Sequence, residues 1–469
     1  MEHARSQALD ALRGFAILMM VLSGLVPYGV LPAWMYHAQV PPPAHKFDPN
    51  LPGLTWVDLV FPLFLFCLGA ALPLALTARL AQGTPCWKIA GAILQRGFLL
   101  GFFAIALQHL KPYTFSAQPT ARHWLLALLA LAVFFALFTR LPRDWKPAVH
   151  FAVRAAGWLV ALALLATVHY PDGSGFALAR SDIIIIVLAN MAVFGSLIWL
   201  ATRSRLIPRL GILGVLLALR LASTTPGLVA WLWQASPAPW LYQLYYLQYL
   251  FLVIPGMIAG ELLLRWRRAS REEDKPLRAW NQGRPVALVT LIIGLAIFLL
   301  LGLQARWLIT TTVITFAVLL IGAGLTRRPR TRTEGLLARL YSWGAYWIIL
   351  GLLFEPFEGG IKKDHPTLSY YFVTAGLAVL LLLTLVIFIE VWQQRRGFQL
   401  LIANGQNPML AYIGVAFAIM PVLHLTGLYP LLQAVTTAPW LGFLRGMLLT
   451  LLLALLVGFC TKRKILWRT

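Results

Sequence analysis

Fourteen apolar runs, most of them near the length of a bilayer-spanning helix, decide what this chain can become. They fall at roughly 11–31, 57–80, 88–109, 123–139, 149–168, 184–202, 209–233, 243–265, 285–304, 307–325, 338–356, 369–393, 405–427 and 440–460. A spanning helix needs roughly 20 apolar residues, and backbone in hydrocarbon must satisfy its own polar groups, which a helix does within one segment. Only 12% of the 469 residues are charged and 60% are hydrophobic. A soluble domain carries about 25% charged residues, so a soluble fold is excluded. A transmembrane barrel is excluded too, because its strands alternate apolar and polar residues in short segments. The expectation is an all-α, polytopic helix bundle forming one domain over 1–469.

The formal net charge of +23 would suit a nucleic-acid binder, but the positions of the charges argue against one. Lys and Arg gather in short connectors at 140–146, 203–209, 265–278, 327–339, 394–396 and 461–464. The connectors between them are poor in positive charge: 169–182 has one, and 234–242 and 428–439 have none. That is the positive-inside pattern, with anionic headgroups as the partner. It predicts cytoplasmic termini, an even span number, and a 37–58 loop on the outside. The seventh run is the weakest, with Arg220 inside it and Pro226 behind, and reads as a re-entrant or tilted piece. The polar stretch 265–284 reads as a solvated loop. Cys67, Cys86 and Cys460 are scattered, so neither a disulfide framework nor a metal site is expected. The first apolar run lacks a cleavage motif behind a short core and reads as a retained span.

The candidate chemistry gathers in AWMYHAQVPPPAHKFDPNLPGLTWVDLVFP, residues 33–62. His37 and His45 flank three prolines, and Asp58 stands where the next apolar run opens. Four residues on, Pro62 has no N–H to give the Asp58 carbonyl, so that helix start carries a free carbonyl beside a carboxylate. An ionisable residue at such a place is a functional candidate by default. A carboxylate near an imidazole is the usual way to fix its tautomer for general-base work, with either histidine as the base. A lone loop histidine has a bland reading as well, as a polar surface residue.

Elsewhere two readings stand for each residue. Asp10 and Arg13, three apart on one helix face, are either a helix-start carboxylate with a snorkelling arginine or an anchor for a phosphate-bearing cofactor. Arg96 either pairs with a carboxylate or contacts phosphate. Asn407, in ANGQNPMLAYIG, interrupts an apolar run with glycine, amides and proline, which favours a cavity lining. Lys362 and Lys363, in GGIKKDHPTLSYYF, suit an anionic acceptor or lipid headgroups.

These segments resemble a known family. ALDALRGFAILMMVLSG, followed by HA and by LTWVDLVFPLFLFCLGAAL, is similar to the opening of the heparan-α-glucosaminide N-acetyltransferase family and its bacterial relatives, with its LDxxRG and TxxDLVFPxFxF patterns. ILQRGFLLG, NGQNPMLAYIG and KKDHPTLSYYFVTAGLA resemble that family's third-span arginine motif, its GxNxxLxYxG motif and its NKxLWTxSYxxxTxG segment. The likeness is dense over 8–110 and 359–414. Two departures stand out. The family's HAxWNGxT is expanded by about a dozen residues that carry His45, and Ser23 and Gly24 stand where its first-span asparagine would be.

The resemblance implies a membrane acyltransferase in a bacterial inner membrane, with the eleven spans usual in that family against about fourteen counted here, so that 11–14 spans are expected. It would pass acetyl from cytosolic acetyl-CoA to a sugar amine or hydroxyl on the far side. It implies His37 as base, with His45 the alternative, Asp58 orienting it, Asp10, Arg13, Arg96 and Asn407 at the acetyl-CoA site, and Lys362 and Lys363 toward the acceptor. No metal is implied. The expected partners are membrane lipid and a sugar or glycan, not nucleic acid, and a homodimer is compatible with the sequence. The competing reading is a transporter or flippase for a glycan or small anion, and the bland one an assembly protein.

Overall fold

In the computed structural model, residues 6–142, 144–203, 205–269, 280 and 283–468 are described. The part of the basic connector at 270–278 lies outside them. Each of the fourteen apolar runs carries helix over most or part of its length. We label these helices α1 (Gln7–Ser23), α2 (Trp56–Ala81), α3 (Cys86–Leu110), α4 (Ala121–Phe138), α5 (Pro147–Thr167), α6 (Ile183–Thr202), α7 (Leu206–Ala222), α8 (Leu250–Ala269), α9 (Gly283–Gln304), α10 (Leu308–Leu325), α11 (Arg332–Phe354), α12 (Leu368–Val386), α13 (Pro408–Gly414, continued by further turns to Leu425) and α14 (Pro439–Lys462).

Among the described residues, 12 helices are long and apolar enough to cross a membrane. The remaining two, α1 and α7, have 17 residues each. At 1.5 Å per residue that is about 26 Å, at the short end of a spanning helix. The protein is a polytopic helical membrane bundle.

The seventh run does not form one helix. α7 stops at Ala222, Ser-Thr-Thr-Pro-Gly follows, and a short helix resumes at Leu228–Gln234. Pro226 disfavours helix at the residue before it, and hydroxyl side chains compete for the backbone there. Arg220 meets the side chain of Gln248.

The described chain divides into two compact units. One comprises the residues up to Ile89, Gly195–Val215 and Tyr249–Ile402; the other comprises Ala90–Phe194, Leu216–Gln248 and the residues from Ala403 on. Their boundaries fall within or beside helices, and none falls in the polar 265–284 stretch.

The first unit holds the two most enclosed spans, α2 and α12. Glycine lets α8 lie against α2: a Cβ on Gly256 or Gly260 would run into the carbonyls of Phe66 and Ala70, and one on Gly69 into that of Val253. α11 and α12 meet similarly, at Gly344, Gly351 and Gly376. Small residues at such crossings let backbones approach where lipid provides no hydrophobic drive. In the second unit, Asn404 and Asn407 tie the chain to α14 and the segment after it: Asn404 donates to the Ala454 carbonyl at 3.0 Å.

Candidate active site at the mouth of α2

The 24–55 loop is ordered from within. The Tyr36 hydroxyl accepts from the backbone N–H of Val30 (3.1 Å) and Leu31 (2.8 Å) and donates to the Pro27 carbonyl. Past His37 the chain makes a small hairpin. Val40 N–H donates to the Lys46 carbonyl at 2.9 Å and Asp48 N–H to the Ala38 carbonyl at 3.0 Å, with Gln39 and Phe47 paired between them. The three prolines and His45 therefore belong to an arm that closes on itself, with His37 at its base. His45 lies edge-on to Tyr36, ring centroids 6.5 Å apart. The Phe47 ring lies 5.7 Å from that of His37.

Asp58 is the third residue of α2. Its Oδ2 accepts from Thr55 N–H at 2.9 Å and Thr55 Oγ1 at 3.0 Å, which satisfies a backbone donor at the helix start. Its Oδ1 is left facing His37 Nδ1 at 2.6 Å. The carbonyl freed by Pro62 is not left bare: the Tyr370 hydroxyl, from α12, donates to it at 2.9 Å.

The segment before α12 completes the site. Glu358 accepts from the N–H groups of Leu368 (2.7 Å) and Ser369 (2.9 Å), a favourable place for a carboxylate at a helix N-terminus. Thr367 Oγ1 accepts from Lys362 N–H at 3.0 Å and from Tyr370 N–H at 3.3 Å. Gly53 N–H donates to the Ile361 carbonyl at 2.8 Å and joins this segment to the 24–55 loop. So held, the segment carries Asp364 Oδ2 to 2.7 Å from His37 Nε2, and Lys363 Nζ to 3.7 Å from Asp58 Oδ1.

His37 thus has a carboxylate on each ring nitrogen. With both carboxyls ionised, both contacts are hydrogen bonds only if both nitrogens carry protons, so the arrangement favours the imidazolium. Burial works against the charged ring, but the bonds to Asp364 and Asp58 outweigh it, and the His37 pKa is raised above the ordinary histidine value; Lys363 opposes the rise. The bond to His37 likewise holds the Asp364 carboxyl below its ordinary value, against partial burial. The carboxylates differ in exposure: the Asp58 side chain is 3% exposed and that of Asp364 40%. Beside them lies a hollow of about one-water size, lined by His37, Asp58, Lys363, Gln304, Gly53 and Leu51.

Of the residues singled out in the sequence, His37, Asp58 and Lys363 come together here, and Lys362 joins the same segment through its backbone. His45 does not reach the carboxylates. Asp10 and Arg13 pair with each other at the start of α1. Arg96 is exposed on α3, in the second unit. Asn407, also in the second unit, is fully buried; its Nδ2 donates to the Ile465 carbonyl at 2.9 Å and its Oδ1 accepts from Trp467 N–H at 3.1 Å. Three residues were missed: Asp364, Tyr370 and Gln304. Asp364 stands at a position that the resembled NKxLWTxSY pattern leaves open. Tyr370 falls on the tyrosine of that same pattern, and the carbonyl that Pro62 leaves bare is the physical signal for its role.

The site is thus an imidazole held between two carboxylates at the mouth of a helix in a polytopic bundle. The chain belongs to the DUF5009 family, described as a domain of unknown function, whose model matches residues 5–263. It is also similar to two curated proteins, each named heparan-alpha-glucosaminide N-acetyltransferase. The one from Homo sapiens is 35% identical over 97 residues, which is 20% of this chain and 12% of that protein. The one from Mus musculus is 35% identical over 96 residues, 20% of this chain and 13% of that protein. The likeness thus spans about an eighth of these relatives and marks a distant relationship to these N-acetyltransferases.

Proposed function

We propose that the protein is a membrane acyltransferase that moves an acetyl group from acetyl-CoA to a sugar amine or hydroxyl, with His37 as general base. The observation that carries this reading is His37 held between Asp58 and Asp364. Acyl transfer from a thioester requires a base within hydrogen-bond reach of the acceptor proton and polar groups where negative charge develops. Asp58, anchored by Thr55, keeps a proton on Nδ1 and leaves Nε2 to take one from the acceptor. Lys363, beside the pair, is the cation placed to offset charge on the acyl oxygen.

On this reading Arg13, oriented by Asp10, binds the phosphates of acetyl-CoA, since guanidinium suits phosphate geometry. Asn407 supports its region by fastening the C-terminal backbone. Lys362 borders the acceptor's approach. The orientation expected from the charge pattern puts His37 on the periplasmic side of a bacterial inner membrane and acetyl-CoA on the cytosolic side.

The test is acetyl-CoA consumption by detergent-purified protein given an amino sugar, wild type against His37→Ala. Acceptor-dependent turnover that the substitution removes supports the reading. Absence of both turnover and acetyl-CoA binding, or substrate flux into proteoliposomes without acetyl-CoA, contradicts it.

A further inference from the structure

A histidine with both ring nitrogens engaged has no lone pair to offer, so one carboxylate must withdraw before His37 can act as a base. The two are not equally able to do so. Asp58 is buried, both of its oxygens are bonded, and its backbone is fixed by α2 and by Tyr370. Asp364 is substantially exposed and sits on a connecting segment ahead of α12, where water can solvate its carboxylate if it swings away.

We propose that Asp364 is a positioning residue that occupies the Nε2 face of His37 in the closed site and gives that face up to the acceptor. Proton loss itself drives the exchange. Asp58 retains the proton on Nδ1, so deprotonation occurs at Nε2, its proton passing to water at the exposed Asp364 edge of the site, and the lone pair left there points at a carboxylate oxygen 2.7 Å away. Two acceptors facing each other repel, and the solvent-accessible carboxylate leaves. The one-water hollow beside His37 is lined by Asp58 and Lys363 and is too small for a sugar acceptor, so the acceptor must come to Nε2 from the side that Asp364 occupies.

The charged groups facing His37 are Asp58 from α2 and Lys363 and Asp364 from the segment before α12, with His365 acting on Asp364; Phe47 of the hairpin adds an uncharged ring. Removing Asp364 therefore leaves one carboxylate and one ammonium near the ring, and the neutral imidazole gains.

The inference rests on the acyl-transfer reading for its catalytic meaning, but its test needs no turnover. Diethyl pyrocarbonate modifies neutral imidazole, and mass spectrometry reads modification of His37 as a function of pH. The wild type is expected to label with a midpoint above that of free histidine. In Asp364→Asn the midpoint falls, and labelling at a fixed pH below both midpoints is faster than in the wild type. Asp364→Glu, which keeps the charge, retains the wild-type profile. An unchanged profile in Asp364→Asn overturns the inference. Where that variant does not fold, a wild-type midpoint at or below that of free histidine overturns it. A shifted profile with no acetyl transfer by the wild type defeats the acyltransferase reading and leaves Asp364 as the group that masks Nε2.

Discussion

The Tyr370 hydroxyl donates to the Asp58 carbonyl, which Pro62 leaves without its helical N–H partner. This bond joins α12 to the mouth of α2 at the residue whose side chain orients His37. A local gap in one helix is thus filled by another more than 300 residues later in the chain. The same contact helps place Asp364, six residues before Tyr370, opposite the far side of the imidazole.

Tyr370→Phe removes the donor and leaves a buried carbonyl unpaired, at a cost of about 1–3 kcal/mol. Thermal unfolding in detergent is expected to show a lower midpoint. Pro62→Ala in the Tyr370→Phe background restores a backbone N–H four residues on and is expected to recover part of the loss. Equal stability of Tyr370→Phe and wild type would contradict the role given to this bond.

The α2–α8 crossing predicts a second cost. A Cβ on Gly256 meets the Phe66 carbonyl, and backbone cannot step aside as a flexible side chain does. Gly256→Leu is expected to destabilise by at least about 1–3 kcal/mol, the usual range for overpacking. Gly83→Ala, where nothing lies within 4 Å of the added carbon, is expected to cost less despite its positive φ. The check is folded yield and unfolding midpoint of the two variants side by side.

Much of this architecture is legible in the sequence because it follows from local rules. Apolar runs of bilayer length place the helices, and the i to i+4 register of Asp58 and Pro62 identifies the bare carbonyl. The run over 209–233, marked as weak by Arg220 and Pro226, breaks at Ser223 to Gly227, although its length alone would suggest one helix. Asp364 was out of reach for a different reason: pairing across hundreds of residues leaves no local periodicity, and its neighbours Lys362 and Lys363 dominate the reading of that segment. The preference for His37 over His45 becomes a geometric one only when the hairpin closes and turns His45 toward Tyr36.

The pH dependence follows from the raised pKa of His37. A group whose pKa is higher folded than unfolded adds stability that is complete below its unfolded value, about 6.5 for histidine, and is lost as pH rises through the folded value. The difference in unfolding midpoint between wild type and His37→Gln is therefore expected to be largest on the acidic side of that window and to shrink above it. Asp364, held below its ordinary value, behaves oppositely: its contribution is present above about pH 3.9 and lost as pH falls through the folded value. Base catalysis by His37 requires the neutral ring, so acetyl transfer is expected to rise with pH over the range in which the stabilisation fades. A rate that falls with pH there would contradict base catalysis.

The most direct measurement is acetyl transfer from acetyl-CoA to an amino sugar by purified protein, comparing wild type, His37→Ala, His45→Ala and Asp58→Asn. The account predicts turnover by the wild type and by His45→Ala. It predicts a loss of about 10²–10⁴-fold in His37→Ala, the usual contribution of a general base, and a marked loss in Asp58→Asn. Full activity in His37→Ala, or loss confined to His45→Ala, would contradict it.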